Sequence, residues 1–267
     1  MKVTSYLNWN PVLADPTGQR QAKPRTLGKT MVMDKGLGMF AFQDLLSTSS
    51  SHLDMIKIGF GTSPLYPQEV LRSKISLAKE SGICIYPGGT FLEVALTQQA
   101  VDSFFDMIIA LGFNGVEISN GTIDIDRTTR SELIARGLEE GLEVITEYGK
   151  KGWGSTIELE ELIETVMIDT EIGATLVTIE ARESGVGVGI FDHSGKCKDE
   201  ELQQVLSAVN GQKLLWEAPL KSQQVHLISM LGPEIHLGNI SPDELIALEA
   251  LRRGLRSDTL SLGTRKD

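Results

Sequence analysis

Eight short β-rich runs recur along this chain, each followed by a stretch with helical periodicity, and that alternation leaves few architectures open. The runs are TMVMD (30–34), DMIKIG (54–59), ICIYP (83–87), GVEIS (115–119), EVITE (143–147), LVTIE (176–180), KLLWE (213–217) and EIHLG (234–238). They fall about 20 to 40 residues apart, the length of one strand plus one crossover helix. Crossover helices join parallel strands, and eight such units in 267 residues match a closed (β/α)8 TIM barrel, an α/β fold of one domain. The first residues, 1–25, are rich in Pro, Asn, Asp and Gln without a period and read as an N-terminal arm, so the barrel occupies 26–267.

The helix stops support the count. The stretch 67–81 puts Val70, Leu71, Ile75 and Ala78 on one face and is followed by Gly82. The stretches 100–111, 131–140 and 158–172 run into Gly112, Gly141 and Gly173 in the same way. A glycine just past a helix accepts the left-handed backbone that closes its last turn.

Charge narrows the function. A formal net charge of −11 argues against nucleic acid or an anionic membrane as partner. An anionic small substrate needs only a local cluster of Lys and Arg. Cys84 and Cys197 belong to no CxxC or Cys/His pattern, which fits a reducing, cytoplasmic setting. The N-terminal MKVTSYLNWNPVLADP lacks the apolar core of a signal peptide, and the apolar stretch 104–113 is too short to span a bilayer.

The carboxyl ends of barrel strands converge on one mouth, where the chemistry of such folds is built. Those ends here carry Asp34-Lys35-Gly36, Lys57 with Gly59-Phe60-Gly61, Pro87-Gly88-Gly89-Thr90 and Glu117 with Ser119-Asn120-Gly121. Further on come Glu147 with Gly149-Lys150-Lys151, Glu180-Ala181-Arg182-Glu183-Ser184-Gly185, Glu217 with Lys221, and Gly238-Asn239. A single Glu in an apolar strand is more often paired structurally than catalytic. Four of them at strand ends, with lysines opposite, are costly to bury without function. His52, His193, His226 and His236 share no metal-ligand spacing, and Gly59-x-Gly61 is not a dinucleotide fingerprint. Arg252, Arg253 and Arg256 are read as complementing a helix C-terminus.

Several of these strings resemble the phosphosulfolactate synthase family: DKGLG (34–38), IKIGFGTS (56–63), YPGGTFLEVA (86–95), LGFNGVEISNG (111–121), TEYGKK (146–151), IEARESG (179–185), WEAPLKSQQV (216–225), LGNI (237–240) and ALEALRRGLRSDT (247–259). They run in collinear order from Thr30 to Thr259. The resemblance implies a TIM barrel and a lyase that adds sulfite to phosphoenolpyruvate with Mg2+, giving (2R)-2-phospho-3-sulfolactate. That product leads to coenzyme M in methanogens and to sulfolactate in some bacteria. Homo-oligomerisation is open to a barrel of this kind. The chain departs from the family pattern at Asn120 (usually Asp), Leu220 (usually Gln), Tyr148 (usually Val) and Ser257 (usually Gly).

On that reading Glu117, Glu147 and Glu180 are the expected metal ligands, since hard oxygen donors suit Mg2+. Lys150 is the expected general acid, with Lys151 its neighbour and competitor. Arg182, with Ser184 and Gly185, is expected to grip a phosphate or sulfonate. Lys57 and Lys221 add positive charge, and Lys35 and Asn239 complete the substrate contacts. Competing expectations are a barrel enzyme for another enol phosphate, a stress-related relative without this turnover, and a Schiff-base aldolase using Lys150 or Lys57.

Overall fold

The computed structural model describes residues 9–150, 152, 154, 157–182 and 184–263. The arm carries α1 (Pro11–Ala14). The barrel follows as β1 (Thr30–Asp34), α2 (Met39–Ser49), β2 (Met55–Ile58), α3 (Gln68–Glu80), β3 (Cys84–Pro87), α4 (Gly89–Thr97) and α5 (Val101–Leu111). Its second half is β4 (Gly115–Ile118), α6 (Arg127–Glu139), β5 (Glu143–Tyr148), α7 (Leu159–Ile172), β6 (Leu176–Ile179), α8 (Asp199–Ala208), β7 (Leu214–Glu217), α9 (Lys221–Leu231), β8 (His236–Ile240) and α10 (Leu245–Arg252).

The strands form one parallel sheet in the order β3-β2-β1-β8-β7-β6-β5-β4, so the first and last strands pair and the sheet curls into a nearly closed (β/α)8 barrel. Alternation of period two sorts the side chains into two layers. Val32, Ile56, Ile85, Val116, Val144 and Val177 face the helices. Met31, Met55, Ile145, Leu176 and Leu215 fill the barrel interior. Each such side chain contributes about 1.5–3 kcal/mol when fully buried.

The four glycines expected to end helices all adopt positive φ, from +65° at Gly82 to +131° at Gly173. Helix α6 begins at Arg127, earlier than its hydrophobic pattern suggests, because Asp126 caps it through the amide of Thr129 at 2.9 Å.

Between β3 and β4 there is no backbone ladder among the described residues, and side chains sew this seam. The amide of Asn114 accepts from the Ile85 N–H at 2.7 Å and donates to the Ile83 carbonyl at 3.2 Å, replacing two ladder bonds. Close approach here requires Gly115, where a Cβ would lie 2.6 Å from Sγ of Cys84.

Residues of the arm seal the amino ends of the strands, opposite the mouth. Arg20 pairs with Glu234 at 2.8 Å and Glu249 at 2.9 Å, and Arg25 pairs with Asp54 at 3.1 Å. Lys23 donates to the carbonyls of Leu53, Ser50 and Ser81. Arg252 is wholly buried and donates to carbonyls of Pro233 and Ile235, so it fixes the entry to β8 rather than complementing a helix end.

Candidate active site

Strand register decides which polar side chains enter the barrel. Met33, Lys57 and Tyr86 are paired across β1, β2 and β3, and all point inward. Glu117 and Glu147 share the interior face with Ile145, and Glu217 shares it with Leu215. The result is a buried cluster around one ammonium. Lys57 Nζ lies 2.9 Å from Glu117, 2.9 Å from Glu147 and 3.5 Å from Glu217. Burial opposes its charge, but the three carboxylates outweigh that and hold the lysine well above its ordinary pKa. Lys57 is therefore a fixed positive charge.

Glu117 also accepts from the Gly89 N–H at 2.6 Å, tying the PGGT turn across the β3–β4 seam. Gly89 is needed there, since a Cβ would lie 2.5 Å from the Ser119 hydroxyl. Glu93 of α4, buried beneath, accepts from Ser119 and from the amides of Thr122 and Ile123, which shapes the loop after β4.

Above the cluster a cavity opens, lined by Lys57, Phe60, Glu180, Arg182, Glu217 and Asn239, among others. Three of the four non-glycine residues with positive φ among the described residues line it: Phe60, Arg182 and Asn239. Such backbone costs about 1–3 kcal/mol each and gathers at functional sites. Asn239 sits in a bulge, because β8 runs from Leu237 to Ile240 while β1 runs only from Thr30 to Val32. The bulge turns its amide toward the mouth, where it donates to the Arg182 carbonyl at 2.7 Å and to Glu217 at 3.4 Å. Glu180 accepts from the Arg182 N–H, and Glu217 from the Ala181 N–H at 3.1 Å.

The other expected residues are placed differently. Lys150 is half-exposed on the rim, donating to Asp124 at 2.7 Å and to the Asn120 carbonyl at 2.9 Å. It lines an adjoining cleft with Tyr148, Glu158 and Glu161. Lys221, at the start of α9, pairs with Asp258 at 2.9 Å. Lys35 and Ser184 are exposed, and the carbonyl of buried Gly185 accepts from Gln223 at 2.6 Å. Lys151 lies outside the described residues.

Tyr86 and Asp124 were not expected in the site, and Glu217, one of the four strand-end carboxylates read as functional, carried no individual role. Tyr86 could have been found from the period-two alternation that puts it level with Lys57. Nothing local marks Asp124 as the partner of Lys150. Two departures from the family pattern are muted: Asn120 serves Lys150 through its backbone, and the Leu220 N–H is bonded to the Gln223 side chain at 3.1 Å.

A parallel barrel with a buried lysine–carboxylate cluster beneath a strained, arginine-bearing mouth defines a TIM-barrel enzyme. The family model for (2R)-phospho-3-sulfolactate synthase (ComA) matches residues 18–258. The phosphosulfolactate synthase of Methanothermobacter thermautotrophicus is 41% identical over 246 residues, covering 91% of this chain and 95% of that protein. Those of Methanocaldococcus jannaschii and Bacillus subtilis are 42% and 37% identical, covering 87% and 91% of this chain and 93% and 96% of theirs. The chain belongs to the phosphosulfolactate synthase family and is an enzyme. Among solved structures, the YdjI aldolase of Escherichia coli K12 aligns with a TM-score of 0.54 at 14% identity, covering 89% of this chain and 85% of that one. The 3-hexulose-6-phosphate synthase of Salmonella typhimurium aligns at 0.52 and 14%, covering 88% and 97%. These two likenesses concern the fold alone.

Proposed function

We propose that this enzyme adds sulfite to phosphoenolpyruvate with Mg2+, giving (2R)-2-phospho-3-sulfolactate. Family membership supports the reaction. The observation that carries the reading to the site is the charge balance of the mouth. Among the described residues, Glu117, Glu147 and Glu217 gather around Lys57, and Glu180, Glu217 and Arg182 line the cavity above it, so carboxylates crowd the place where two anionic reactants would bind. A divalent cation offsets that charge.

The donor set suits Mg2+ in kind, being hard oxygen. Glu117 and Glu147 are engaged by Lys57, so direct ligation by either competes with an ammonium 2.9 Å away. Glu180 and Glu217 open onto the cavity. No three carboxylates among the described residues bring their oxygens within 4.8 Å of one another. This fits a Mg2+ held by one or two carboxylates, with water and substrate oxygens completing its shell. When bound, it would supply Lewis-acid stabilisation of negative charge on the substrate.

Sulfite sulfur forms the new bond to the methylene carbon, and the π electrons of the double bond move toward the carboxylate. A proton must then reach C2 so that the carboxylate is restored. Lys57 is a poor donor, because its carboxylates hold the proton, and it acts as a standing positive charge. Lys150 remains the proposed acid. To reach the cavity it has to leave both Asp124 and the Asn120 carbonyl, and its side chain is half-exposed on the rim. Arg182 is proposed to grip the phosphate or sulfonate, with the backbone near Ser184 and Gly185 shaping its loop.

Both cysteines are free thiols, and no helix among the described residues is long and apolar enough to cross a membrane. These features support the cytoplasmic setting proposed for the reaction. The reading is tested by incubating purified protein with phosphoenolpyruvate, sulfite and Mg2+ and following phosphosulfolactate by mass spectrometry. Binding of phosphoenolpyruvate without product would favour another enol-phosphate chemistry on the same barrel.

A further inference from the structure

The connection from β6 to α8 carries Arg182 over the mouth and then folds back through a bridge between Phe191 and Cys197. Helix α9 packs against this connection. Its Gln223 side chain donates to the carbonyls of Gly185 at 2.6 Å and Gly195 at 3.1 Å, a neutral clip across the fold. Three residues further along, on the same helix face, stands His226. Its Nε2 lies 2.7 Å from Oδ1 of Asp199, the first residue of α8. Sγ of Cys197, a carboxylate oxygen of Asp199 and a ring nitrogen of His226 all lie within 4.8 Å of one another. None of the three lines the catalytic cavity.

We propose that Cys197, Asp199 and His226 form a second metal site, for a zinc-class divalent ion, which fastens the β6–α8 connection to α9. A thiolate, an imidazole and a carboxylate are the mixed donors that zinc accepts and Mg2+ does not favour. With bonds of about 2.0–2.3 Å, tetrahedral zinc holds its ligand atoms roughly 3–4 Å apart, so only small shifts separate the present cluster from a closed site. Cys197 is buried, while the side chains of His226 and Asp199 are 33% and 51% exposed, which leaves an entry path and room for water as fourth ligand.

The proton balance is simple. The Cys197 thiol releases its proton to solvent, the Nε2 proton that now bonds Asp199 moves through solvent to Nδ1 so that the Nε2 lone pair is free, and bonds from the ion to Nε2 and to the Asp199 carboxylate replace that hydrogen bond. The site is separate from the sulfite chemistry, and its test does not depend on that reaction.

Full-length protein freed of metal is titrated with Co2+ and read by absorption. A thiolate-to-cobalt charge-transfer band with strong tetrahedral visible bands, displaced by Zn2+, is expected for wild type and absent in Cys197→Ser. Zn2+ at about a hundred times its Kd is expected to raise Tm by roughly 5 °C or more in wild type. His226→Ala, at a partly exposed position, is expected to lose that shift and covers the case in which Cys197→Ser folds poorly. A weak six-coordinate spectrum without the charge-transfer band overturns the proposal. So does a band that survives in Cys197→Ser, or an equal thermal shift in wild type and His226→Ala, either of which means adventitious binding only.

Discussion

The side-chain amide of Asn239 donates to the carbonyl of Arg182 at 2.7 Å, and both residues hold left-handed backbone, with φ of +56° and +58°. One hydrogen bond thus joins the strained end of β8 to the strained loop that carries the mouth's arginine. Asn tolerates this conformation better than Ala, and Gly tolerates it best. Asn239→Gly keeps the backbone and removes the amide, whereas Asn239→Ala adds strain to the same loss. Both are expected to raise the KM for phosphoenolpyruvate about three- to tenfold, the worth of one hydrogen bond. Asn239→Ala should be less stable than Asn239→Gly by about 1 kcal/mol in urea denaturation. An unchanged KM in both would remove Asn239 from the placement of Arg182.

Removing Lys57 should be costly for a different reason. Lys57→Met leaves Glu117 and Glu147 facing each other in the interior without their shared counter-charge. Breaking a buried ion pair from one side costs about 3–5 kcal/mol. The double variant Lys57→Met/Glu147→Gln should recover part of that loss, because one of the stranded charges is gone. A loss below about 1 kcal/mol in the single variant would mean that the carboxylates are protonated or hydrated and that the cluster is not held by charge.

Much of this architecture can be read from periodicity, and its failures are instructive. The span of β1 matches its β-rich run, since Thr30–Asp34 is bounded by clear breaks. Strand β8 forms two residues later than its run, at His236–Ile240, because Glu234 is drawn to Arg20 and the Ile235 carbonyl to Arg252. The Gly238-Asn239 pair reads as the strand's end yet lies inside the strand, where the pairing with β1 bulges. In the site, strand-end carboxylates were legible because alternation fixes which face they occupy. Lysines opposite them were expected too, but the particular pairings were not legible. Lys57 meets Glu147 from 90 positions away, and Lys150 meets Asp124 through the path of two loops. Such pairings depend on register and loop course, which no local pattern encodes.

Lys150→Ala is expected to lower kcat by about two to four orders of magnitude, the usual consequence of losing a general acid. Asp124→Asn, which only releases the lysine from an exposed ion pair, should leave the fold intact and keep most of the turnover. Steady-state kinetics on both variants separates a proton donor from a residue that merely closes the rim. Near-normal kcat in Lys150→Ala would dismiss it as the acid.

Chelation should abolish turnover, and added Mg2+ should restore it. Glu180 and Glu217 face the cavity, so Glu180→Gln and Glu217→Gln are each expected to raise the Mg2+ concentration for half-maximal rate by about tenfold or more. Full activity in the presence of excess chelator would refute the metal requirement. A Mg2+ response unaltered in both variants would move the ion to Glu117 and Glu147.

Mild acid should weaken the fold through His236. Its Nδ1 accepts from the Lys29 N–H at 3.1 Å, so the ring proton must sit on Nε2, which donates to the Gln212 carbonyl at 3.1 Å. A second proton on Nδ1 would face that N–H directly. Burial lowers the pKa from 6.5 to about 4, with the charges of Arg252 and Lys29 acting in the same direction. The unfolded chain therefore takes up the proton first as pH falls. Stability is full above about pH 6.5 and declines toward pH 4, by ~2 kcal/mol at pH 5 and ~3 kcal/mol in all. His52, whose pKa burial also lowers, adds to the same trend. Urea midpoints measured from pH 7 to pH 5, above the range where ordinary carboxylates titrate, isolate the histidine contribution. His236→Asn should flatten most of the slope in that window, and an identical slope in the variant would assign the acid sensitivity elsewhere.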